Sequence, residues 1–340
     1  MKSLIDVQKK LLPDLLQVMQ KRYQILQNIR IMQPIGRRSL SNNLGISERV
    51  LRGEVQFLKE QNLIHIHPSG MTLTEEGSEL LNVLEEMIKE VSGLTVLENT
   101  LKEKLKLKNV IIVSGNSDVS PWVKKELGRA CVSTIKSLLK GNETIAVAGG
   151  TTLAAVAEMM TPDKKHENIL FVPARGGLGE NVENQANSIC AKMAKRANGN
   201  YRLLHVPDQL SKEAYQSIME EPAIKELIEI IRSSHIVLHG IGDAKTMAER
   251  RKTTASDFEK IEKNKAVGEA FGYYFNQDGE VVHKVQTAGI QLDDLKHIPC
   301  VIAVAGGASK AKAIKAYMKQ NIDHILITDE AAAKELLREL

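Results

Sequence analysis

Four apolar runs in the second half of the sequence end in turns that contain glycine, and such turns are suited to holding an anion. The first follows the run 145–148, where Gly149 and Gly150 precede Thr151 and Thr152. Glycine allows backbone conformations, and a close approach of a ligand, that a Cβ obstructs. A helix that starts there presents unpaired N–H groups and the positive end of its dipole. This stretch therefore predicts a phosphate-binding turn.

Three further turns share this composition: RGG at 175–177, GIGD at 240–243 and GGASK at 306–310. The last of them repeats the first, because IAVAGG occurs at both 145–150 and 302–307. One such turn also serves a tight connection without a ligand, but four together favour a ligand. Arg175 and Lys310 add cations beside two turns, although each alone is more often a surface residue. Jointly they predict a site for a phosphorylated small molecule.

Several other chemistries lack their signatures. Neither G-x-G-x-x-G nor a Walker pattern occurs, which disfavours dinucleotides and nucleoside triphosphates. An enzyme needs an acid or a base; Asp243, Glu269 and His239 are candidates, but nothing in the sequence brings them to a substrate. The three cysteines are far apart and odd in number, so they predict neither disulfides nor a zinc site. We expect no metal and no cofactor.

The segment 21–60 carries eight basic and three acidic residues, a net charge of +5 against +4 for the whole chain. The rest of the sequence is therefore slightly negative, and a polyanion partner is predicted for this segment alone. We expect a helix over 13–32, a short helix ended by Gly45, and a helix over 48–61 with Ser47 as its N-cap.

The helix over 48–61 has two different faces. Leu51, Val55 and Leu58 fall on one side, and basic and amide side chains fall on the other. This pattern favours a helix-turn-helix, whose last helix enters the DNA major groove. A solvated helix of an ordinary bundle is the alternative. The residues predicted to contact DNA are Arg37, Arg38, Ser47, Arg49, Arg52 and Gln56.

The segment 63–74 reads as two strands around a Pro-Ser-Gly turn, which is typical of the wing behind a recognition helix. The wing strengthens the DNA-binding interpretation. His65 and His67 have the spacing of metal ligands, but no third ligand is near, so we interpret them as the solvent face of a wing strand. Apolar seams over 75–91 and 94–105 then predict linker and dimerisation helices; packing onto the body of the same chain is the alternative.

From 109 onward strands and helices alternate, which predicts a mostly parallel sheet with helices on both sides. The expected fold class is α/β, with an N-terminal winged helix-turn-helix followed by a Rossmann-like, doubly wound domain. We expect the divisions 1–74, 75–107 and 108–340. Because no signal peptide and no membrane-length apolar run is present, we expect a cytoplasmic protein without a membrane partner.

The sequence also resembles a known family over nearly its whole length. The motifs are AVAGGTT, PARGGLGENVENQAN, HGIGDA, GEAFGYYFNQDG and AVAGGASKAKAI. They resemble the SorC branch of DeoR-type bacterial sugar regulators, in which a winged helix-turn-helix precedes a sugar-phosphate domain similar to phosphosugar isomerases. The resemblance implies a repressor of a glycolytic operon that is not an enzyme. Its operator binding would be modulated by fructose 1,6-bisphosphate, and it would assemble as dimers and tetramers.

The resemblance also implies an effector site. Phosphate binding falls to Gly149 through Thr152 and to Lys310, with Arg175 and the two glycines after it beside them. Gln185 and Glu269 would address sugar hydroxyls, and Arg250 would meet a second phosphate. The full predicted set is Gly149, Gly150, Thr151, Thr152, Arg175, Gly176, Gly177, Gln185, Arg250, Glu269 and Lys310. A phosphosugar isomerase or deaminase with an accessory N-terminal domain is the alternative function.

Overall fold

The computed structural model of the protein describes residues 11–163, 168–177, 181–322 and 324–340. The chain divides into two compact units, one up to Val96 and one from Leu97 to Leu340. This boundary lies within the helix Leu94–Leu105. None of the helices in the described ranges combines the length and the apolar character that a membrane crossing requires.

The first unit has the order of elements of a winged helix-turn-helix. Its elements are α1 (Pro13–Met32), α2 (Arg37–Leu44), α3 (Glu48–Glu60), β1 (Ile64–His67), β2 (Gly70–Leu73) and α4 (Glu75–Val91). Ser47 caps α3 by accepting the N–H of Val50 at 3.4 Å. Gly45 ends α2 with a φ of 65°. The predicted helix-turn-helix and its caps are therefore confirmed in the structure.

The core of the first unit forms because the helices bury one face each. Leu51, Val55 and Leu58 of α3 are at most 2% exposed and pack with Leu26 and Ile29 of α1. Burying each such side chain stabilises the unit by about 1.5–3 kcal/mol relative to leaving it in water.

The wing is a two-stranded antiparallel sheet in which Ile64 faces Leu73. A third segment joins it, because Ile35 exchanges backbone hydrogen bonds with Met71 at 2.8 and 3.2 Å. His65 and His67 are exposed, and no metal-binding cluster occurs among the residues that the structure describes. The wing prediction is confirmed.

Helix α4 begins at an N-cap formed by Thr74, which accepts the N–H of Gly77 at 2.9 Å. Leu81 and Ile88 pack into the core of the first unit. On the same helix Leu80, Val83 and Met87 are 38%, 61% and 43% exposed. Part of the predicted seam therefore packs within the same chain, and an apolar stripe on α4 stays exposed.

The second unit alternates strands and helices from β3 onward. Its helices are α5 (Leu94–Leu105), α6 (Pro121–Leu138), α7 (Thr151–Met159), α8 (Ala186–Ala197), α9 (Lys212–Glu220), α10 (Pro222–Arg232), α11 (Ala244–Arg250), α12 (Ala255–Lys263), α13 (Leu292–Leu295), α14 (Ala311–Met318) and α15 (Glu330–Glu339). Its strands are β3 (Asn109–Val113), β4 (Thr144–Val147), β5 (Leu170–Pro173), β6 (Asn200–Tyr201), β7 (Ile236–His239), β8 (Gly242–Asp243), β9 (Ala266–Ala270), β10 (Tyr273–Asn276), β11 (Val281–Lys284), β12 (Cys300–Val304) and β13 (His324–Asp329). Short 3-10 helices occupy Val182–Asn184 and Ala308–Lys310.

Seven strands form a parallel sheet in the order β3-β13-β12-β7-β4-β5-β6. Its central strands are apolar on both faces, as expected of a covered parallel sheet. Leu127 of α6, Val156 of α7 and Ile189 of α8 belong to one core cluster with the strand residues Val147 and Leu238. The predicted parallel α/β sheet is confirmed.

A second sheet of four strands, in the order β11-β10-β9-β8, is antiparallel. Strand-forming residues flank the Asp278-Gly279 turn in the sequence, which predicts a hairpin there. That hairpin is part of this sheet, with β10 and β11 as its arms. The sequence analysis did not predict that β8 and β9 extend this hairpin. The apolar segment YRLLHVP (201–207) is typical of a full strand, but only Tyr201 belongs to one, as the second residue of β6.

Candidate functional site

The sheet order places the four glycine-containing turns side by side. They follow β12, β7, β4 and β5, which are consecutive neighbours in the parallel sheet. Parallel strands have their carboxyl ends at one edge of the sheet, so the turns line that edge. The chain runs outward from β4 to β5 in one direction and from β7 to β12 in the other. Ligands of open α/β sheets bind at such a switch point.

A hollow that is open to solvent lies at this edge. Five of the predicted effector-binding residues line it together: Gly149, Arg175, Gly176, Gln185 and Arg250. Asn181, Asn184 and Ala186 complete the lining. The sequence analysis did not single out the two asparagines, although both lie in the motif PARGGLGENVENQAN.

The turn after β4 is held close to the segment before α8. Gly150 has a φ of 127°, and its N–H donates to the Asn184 carbonyl at 2.8 Å. A Cβ at position 149 would lie 2.7 Å from the same carbonyl, so this approach requires glycine. Helix α7 begins at Thr151 without a side-chain cap. Its first N–H groups are therefore available to an anion.

Gln185 stands beside the turn after β5. Its Oε1 lies 2.9 Å from the position that a Cβ on Gly177 would take. Gly176 is enclosed in the same way, because a Cβ there would meet the Val206 carbonyl at 2.4 Å. These glycines thus let the backbone pack against its neighbours at the edge of the hollow.

A buried network of charges lies around Arg175. Its Nε donates to Asp208 at 2.5 Å, and its Nη1 is 3.5 Å from Glu269. Arg251 bridges the same two carboxylates, at 3.2 Å to Asp208 and 2.8 Å to Glu269, and donates to the Tyr274 hydroxyl at 3.1 Å. Two guanidinium groups thus balance two carboxylates, which is how buried charges are tolerated.

Glu269 is 3% exposed and belongs to this network. Burial by itself raises the pKa of Glu269, but Arg251 and Arg175 outweigh it and hold that pKa below the ordinary value. The carboxylate therefore stays charged and orients the two arginines. Among the described residues that line the hollow, Glu269 is not included; its predicted contact with sugar hydroxyls stays a prediction.

Lys310 brings further positive charge to the same edge of the sheet. Burial lowers its pKa, and the neighbouring cations Lys124 and Arg250 lower it further, while Asp118 and Asp329 act in the opposite direction. Arg250 also lines the hollow. The positive charges on Lys310, Arg250 and Lys124 therefore act on one another and favour an anion between them.

The predicted acid and base candidates have structural roles. His239 is 1% exposed, lies between the rings of Phe271 and Tyr317 at 4.8 and 5.0 Å, and its Nδ1 is 3.0 Å from the Gly240 carbonyl. Burial lowers the pKa of His239 to about 4. Asp243 caps α11, because its Oδ1 accepts from the N–H and the hydroxyl of Thr246 at 2.9 and 2.8 Å.

In the first unit the predicted DNA-contacting side chains lie on the surface. Arg49, Arg52 and Gln56 are exposed on α3, and Arg37 and Arg38 are exposed at the start of α2. Gln56 donates to Glu60 at 2.8 Å. This face of α3 therefore offers donors to a polyanion, while Ser47 acts as the helix cap.

Three of the eight basic residues in the segment 21–60 serve the fold. Lys21 and Arg22 bind Glu54 at 2.5 and 2.9 Å, and Arg30 binds Glu85 at 3.5 Å. The other five are exposed, and within the part of the chain that the structure describes none of them makes an ion pair: Arg37, Arg38, Arg49, Arg52 and Lys59. The positive surface is therefore concentrated on α2 and α3.

A winged helix-turn-helix with a basic recognition face is followed by a parallel α/β unit whose glycine turns and cations lie at one edge of the sheet. This arrangement is that of a DNA-binding regulator with a ligand-binding domain. The comparisons with known families agree. Residues 18–88 match the family described as "CggR N-terminal DNA binding domain". Residues 89–338 match the family described as "Putative sugar-binding domain".

Whole-length relatives narrow this class. The chain is 70% identical over 340 residues to the central glycolytic genes regulator of Priestia megaterium, covering 100% of this chain and 99% of the relative. It is 66% identical to the regulator of the same name from Bacillus subtilis, with both chains covered completely. The chain belongs to the family of central glycolytic genes regulators. It is thus a transcriptional regulator of glycolytic genes and not an enzyme, because these relatives are named gene regulators and residues 18–88 match a DNA-binding domain.

Solved structures agree with the fold. A structure titled "putative SorC family transcriptional regulator from Enterococcus faecalis" is 46% identical, with a TM-score of 0.66, and covers 71% of this chain and 99% of that chain. The full-length sorbitol operon regulator SorC from Klebsiella pneumoniae has a TM-score of 0.68, and the match covers 95% of this chain and 98% of that chain. At 18% identity the second likeness shows the fold alone. The resemblance stated from the motifs is confirmed.

Proposed function

We propose that the hollow and its neighbouring cations bind fructose 1,6-bisphosphate and that this binding weakens the repressor's hold on its operator. One observation carries the proposal. Four glycine turns follow four adjacent parallel strands, and Lys310 and Arg250 place positive charge at that edge. A ligand with a phosphate at each end suits two such turns, and its hydroxyls suit the amides of Asn181, Asn184 and Gln185.

The regulatory step follows from linkage. A ligand changes operator affinity only by its different affinity for the states that bind DNA well and poorly. A coupling free energy of about 1–3 kcal/mol corresponds to about a 5- to 150-fold change in operator affinity. We place this exchange in the cytoplasm, where glycolytic metabolites and the operator are both present.

The binding half of the proposal is tested by calorimetry on the full chain. Fructose 1,6-bisphosphate should bind, fructose 6-phosphate should bind more weakly because it lacks one phosphate, and fructose should not bind measurably. Equal affinity for fructose and the bisphosphate would show that the glycine turns do not hold phosphate. Glucose 6-phosphate serves as a control for binding by any single phosphate.

We also propose that the protein forms dimers and that dimers assemble into tetramers on DNA. The exposed apolar stripe of Leu80, Val83 and Met87 on α4 supports this assembly, because such side chains gain by removal from water. Sedimentation of the free protein and of its operator complex tests it. Replacing Val83 by Lys should reduce the mass of the free species if α4 contributes to the interface; an unchanged mass would remove α4 from it.

A further inference from the structure

Asp118 occupies hydrogen-bond donors of the GGASK turn. Its Oδ2 accepts the backbone N–H of Ser309 at 2.9 Å, and its Oδ1 accepts the Ser309 hydroxyl at 2.8 Å. A Cβ on Gly307 would lie only 2.1 Å from Asp118 Oδ1, so the carboxylate packs directly on this glycine, whose φ is 99°. A negatively charged side chain thus sits on a turn whose sequence predicts phosphate binding.

The loop that carries Asp118 is fixed at its base and open at its tip. Asp329 Oδ2 accepts the N–H of Ser117 at 2.8 Å and that of Gly307 at 2.7 Å, which ties the loop to the turn. Glu330 accepts the Ser114 hydroxyl at 3.1 Å. Asp118 itself is exposed, and Val119 is 79% exposed. The Asp118 side chain is therefore able to leave the turn without disturbing the buried anchors.

The charge of Asp118 acts on the same cation that is predicted to meet a phosphate. Lys310 follows Ser309 directly, and Asp118 is the acidic neighbour with the larger influence on the Lys310 amine. A carboxylate and a phosphate oxygen accept hydrogen bonds from the same N–H and O–H groups. The Asp118 carboxylate and a phosphate at this turn would therefore repel each other and compete for the Ser309 donors.

We propose that Asp118 is an internal competing anion, which holds the Ser309 donors until the phosphate of a sugar-phosphate effector displaces it. The proposal rests on the proposed function, because it assumes that such an effector binds at this turn. Displacement of Asp118 releases the tip of the loop between β3 and α6. The effector is thereby sensed as a change at residues 116–120, immediately before Pro121 begins α6.

The test compares full-length variants by calorimetry with fructose 1,6-bisphosphate. Asp118→Asn keeps an acceptor for Ser309 but removes the charge, and Asp118→Ala removes both. The expected affinity for the bisphosphate is about three- to tenfold higher in Asp118→Asn than in the wild type. The affinity of Asp118→Ala should be at least as high as that of Asp118→Asn. Asp293→Asn is the matched control, because Asp293 is an exposed partner of Lys296 at 2.8 Å, and its affinity should equal the wild-type value.

Equal or weaker binding by Asp118→Asn, with wild-type binding intact, would overturn the competing role and assign Asp118 to holding the ligand or the loop. Absence of wild-type binding would instead overturn the proposed function, and this inference with it. Thermal unfolding of each variant reports whether it is folded. If the variants do not fold, a crystal structure of the wild type with the bisphosphate decides: Asp118 must have left Ser309, and a retained contact contradicts the proposal.

Discussion

Lys310 is the residue on which the proposed phosphate recognition depends most directly. Its amine is buried among other cations, so a bound phosphate relieves repulsion as well as forming charge-assisted hydrogen bonds. Lys310→Ala should weaken fructose 1,6-bisphosphate binding by about 1.5–3 kcal/mol, measured by calorimetry. Lys296→Ala, a surface lysine paired with Asp293, should have no effect. Unchanged affinity in Lys310→Ala would place the phosphate elsewhere.

The lowered pKa of Lys310 also predicts a pH dependence. A bound phosphate favours the charged amine and therefore raises the pKa of Lys310. At a pH where part of the effector-free protein has a neutral Lys310 amine, binding of the effector takes up a proton. Effector affinity should therefore fall as pH rises from neutrality toward the ordinary lysine range. Over the same pH range the free energy of unfolding of the effector-free protein should rise with pH, because Lys310 keeps its proton in the unfolded chain after it has lost it in the folded protein.

Calorimetry between pH 7 and alkaline pH checks this dependence. In Lys310→Arg the guanidinium stays charged, so its affinity curve should be flatter than that of the wild type. The same decline in both proteins would show that another group titrates.

Arg52 is the residue predicted to read a base. It is exposed on α3 one residue after the buried Leu51. Arg52→Ala should weaken binding to an operator selected by the wild-type protein by about 1–3 kcal/mol. The ratio between the affinities for operator DNA and for random DNA should fall as well. Fluorescence anisotropy measures both affinities, and Arg338→Ala, on an exposed side chain of α15, is the control. An equal loss on both DNAs would make Arg52 a phosphate contact.

The different roles of the adjacent residues Arg250 and Arg251 could not be predicted from the sequence. Arg250 and Arg251 have the same chemistry, yet Arg250 lines the hollow and Arg251 is 6% exposed within the Asp208–Glu269 network. A helix turns about 100° per residue, so adjacent side chains point in different directions. The sequence does not show which one faces inward, and the partner Asp208 lies 43 residues away along the chain.

At the scale of elements, α4 packs closely against the residue that precedes the wing strand β1. A Cβ on Gly77 would lie 2.0 Å from the Leu63 carbonyl, whereas a Cβ on Gly53 in α3 would meet nothing within 4 Å. Gly77→Ala should therefore destabilise the unit by about 1–3 kcal/mol through overpacking. Gly53→Ala should stabilise α3 by about 0.5–1 kcal/mol, because alanine is the better helix former.

Thermal unfolding followed by circular dichroism measures both variants of this pair. A stability loss in both would mean that the exposed face of α3 is constrained in a way that the structure does not show. A gain in both would contradict the tight contact at Gly77.

Elements with local signals were predicted well from the sequence. The helices α1, α3 and α4 were predicted within about a residue, because caps at Ser47 and Thr74 and the helical spacing of apolar residues are encoded locally. The antiparallel sheet β11-β10-β9-β8 was predicted only as its hairpin. Pairing of β8 with β9 joins residues about 25 positions apart in the chain, and nothing local encodes that partner.

At the scale of the whole molecule, strand order turns separate motifs into one site. The turns after β4 and β12 are about 155 residues apart in the chain, but their strands are separated in the sheet only by β7. The repeated IAVAGG phrase indicated two phosphate turns, while their placement at one edge depends on the order of the parallel strands. The hollow is therefore a property of the fold, and its individual glycines are properties of the sequence.

In the proposed function, an anionic sugar held at the glycine turns of the second unit changes how firmly the basic helix-turn-helix of the first unit holds DNA. Operator titration by fluorescence anisotropy, with and without saturating fructose 1,6-bisphosphate, tests it most directly. The wild type should lose about 5- to 150-fold in operator affinity when the bisphosphate is added. Lys310→Ala should bind the operator as the wild type does without the bisphosphate, and should respond weakly to it. Operator affinity that stays the same while calorimetry shows the bisphosphate bound would contradict the account.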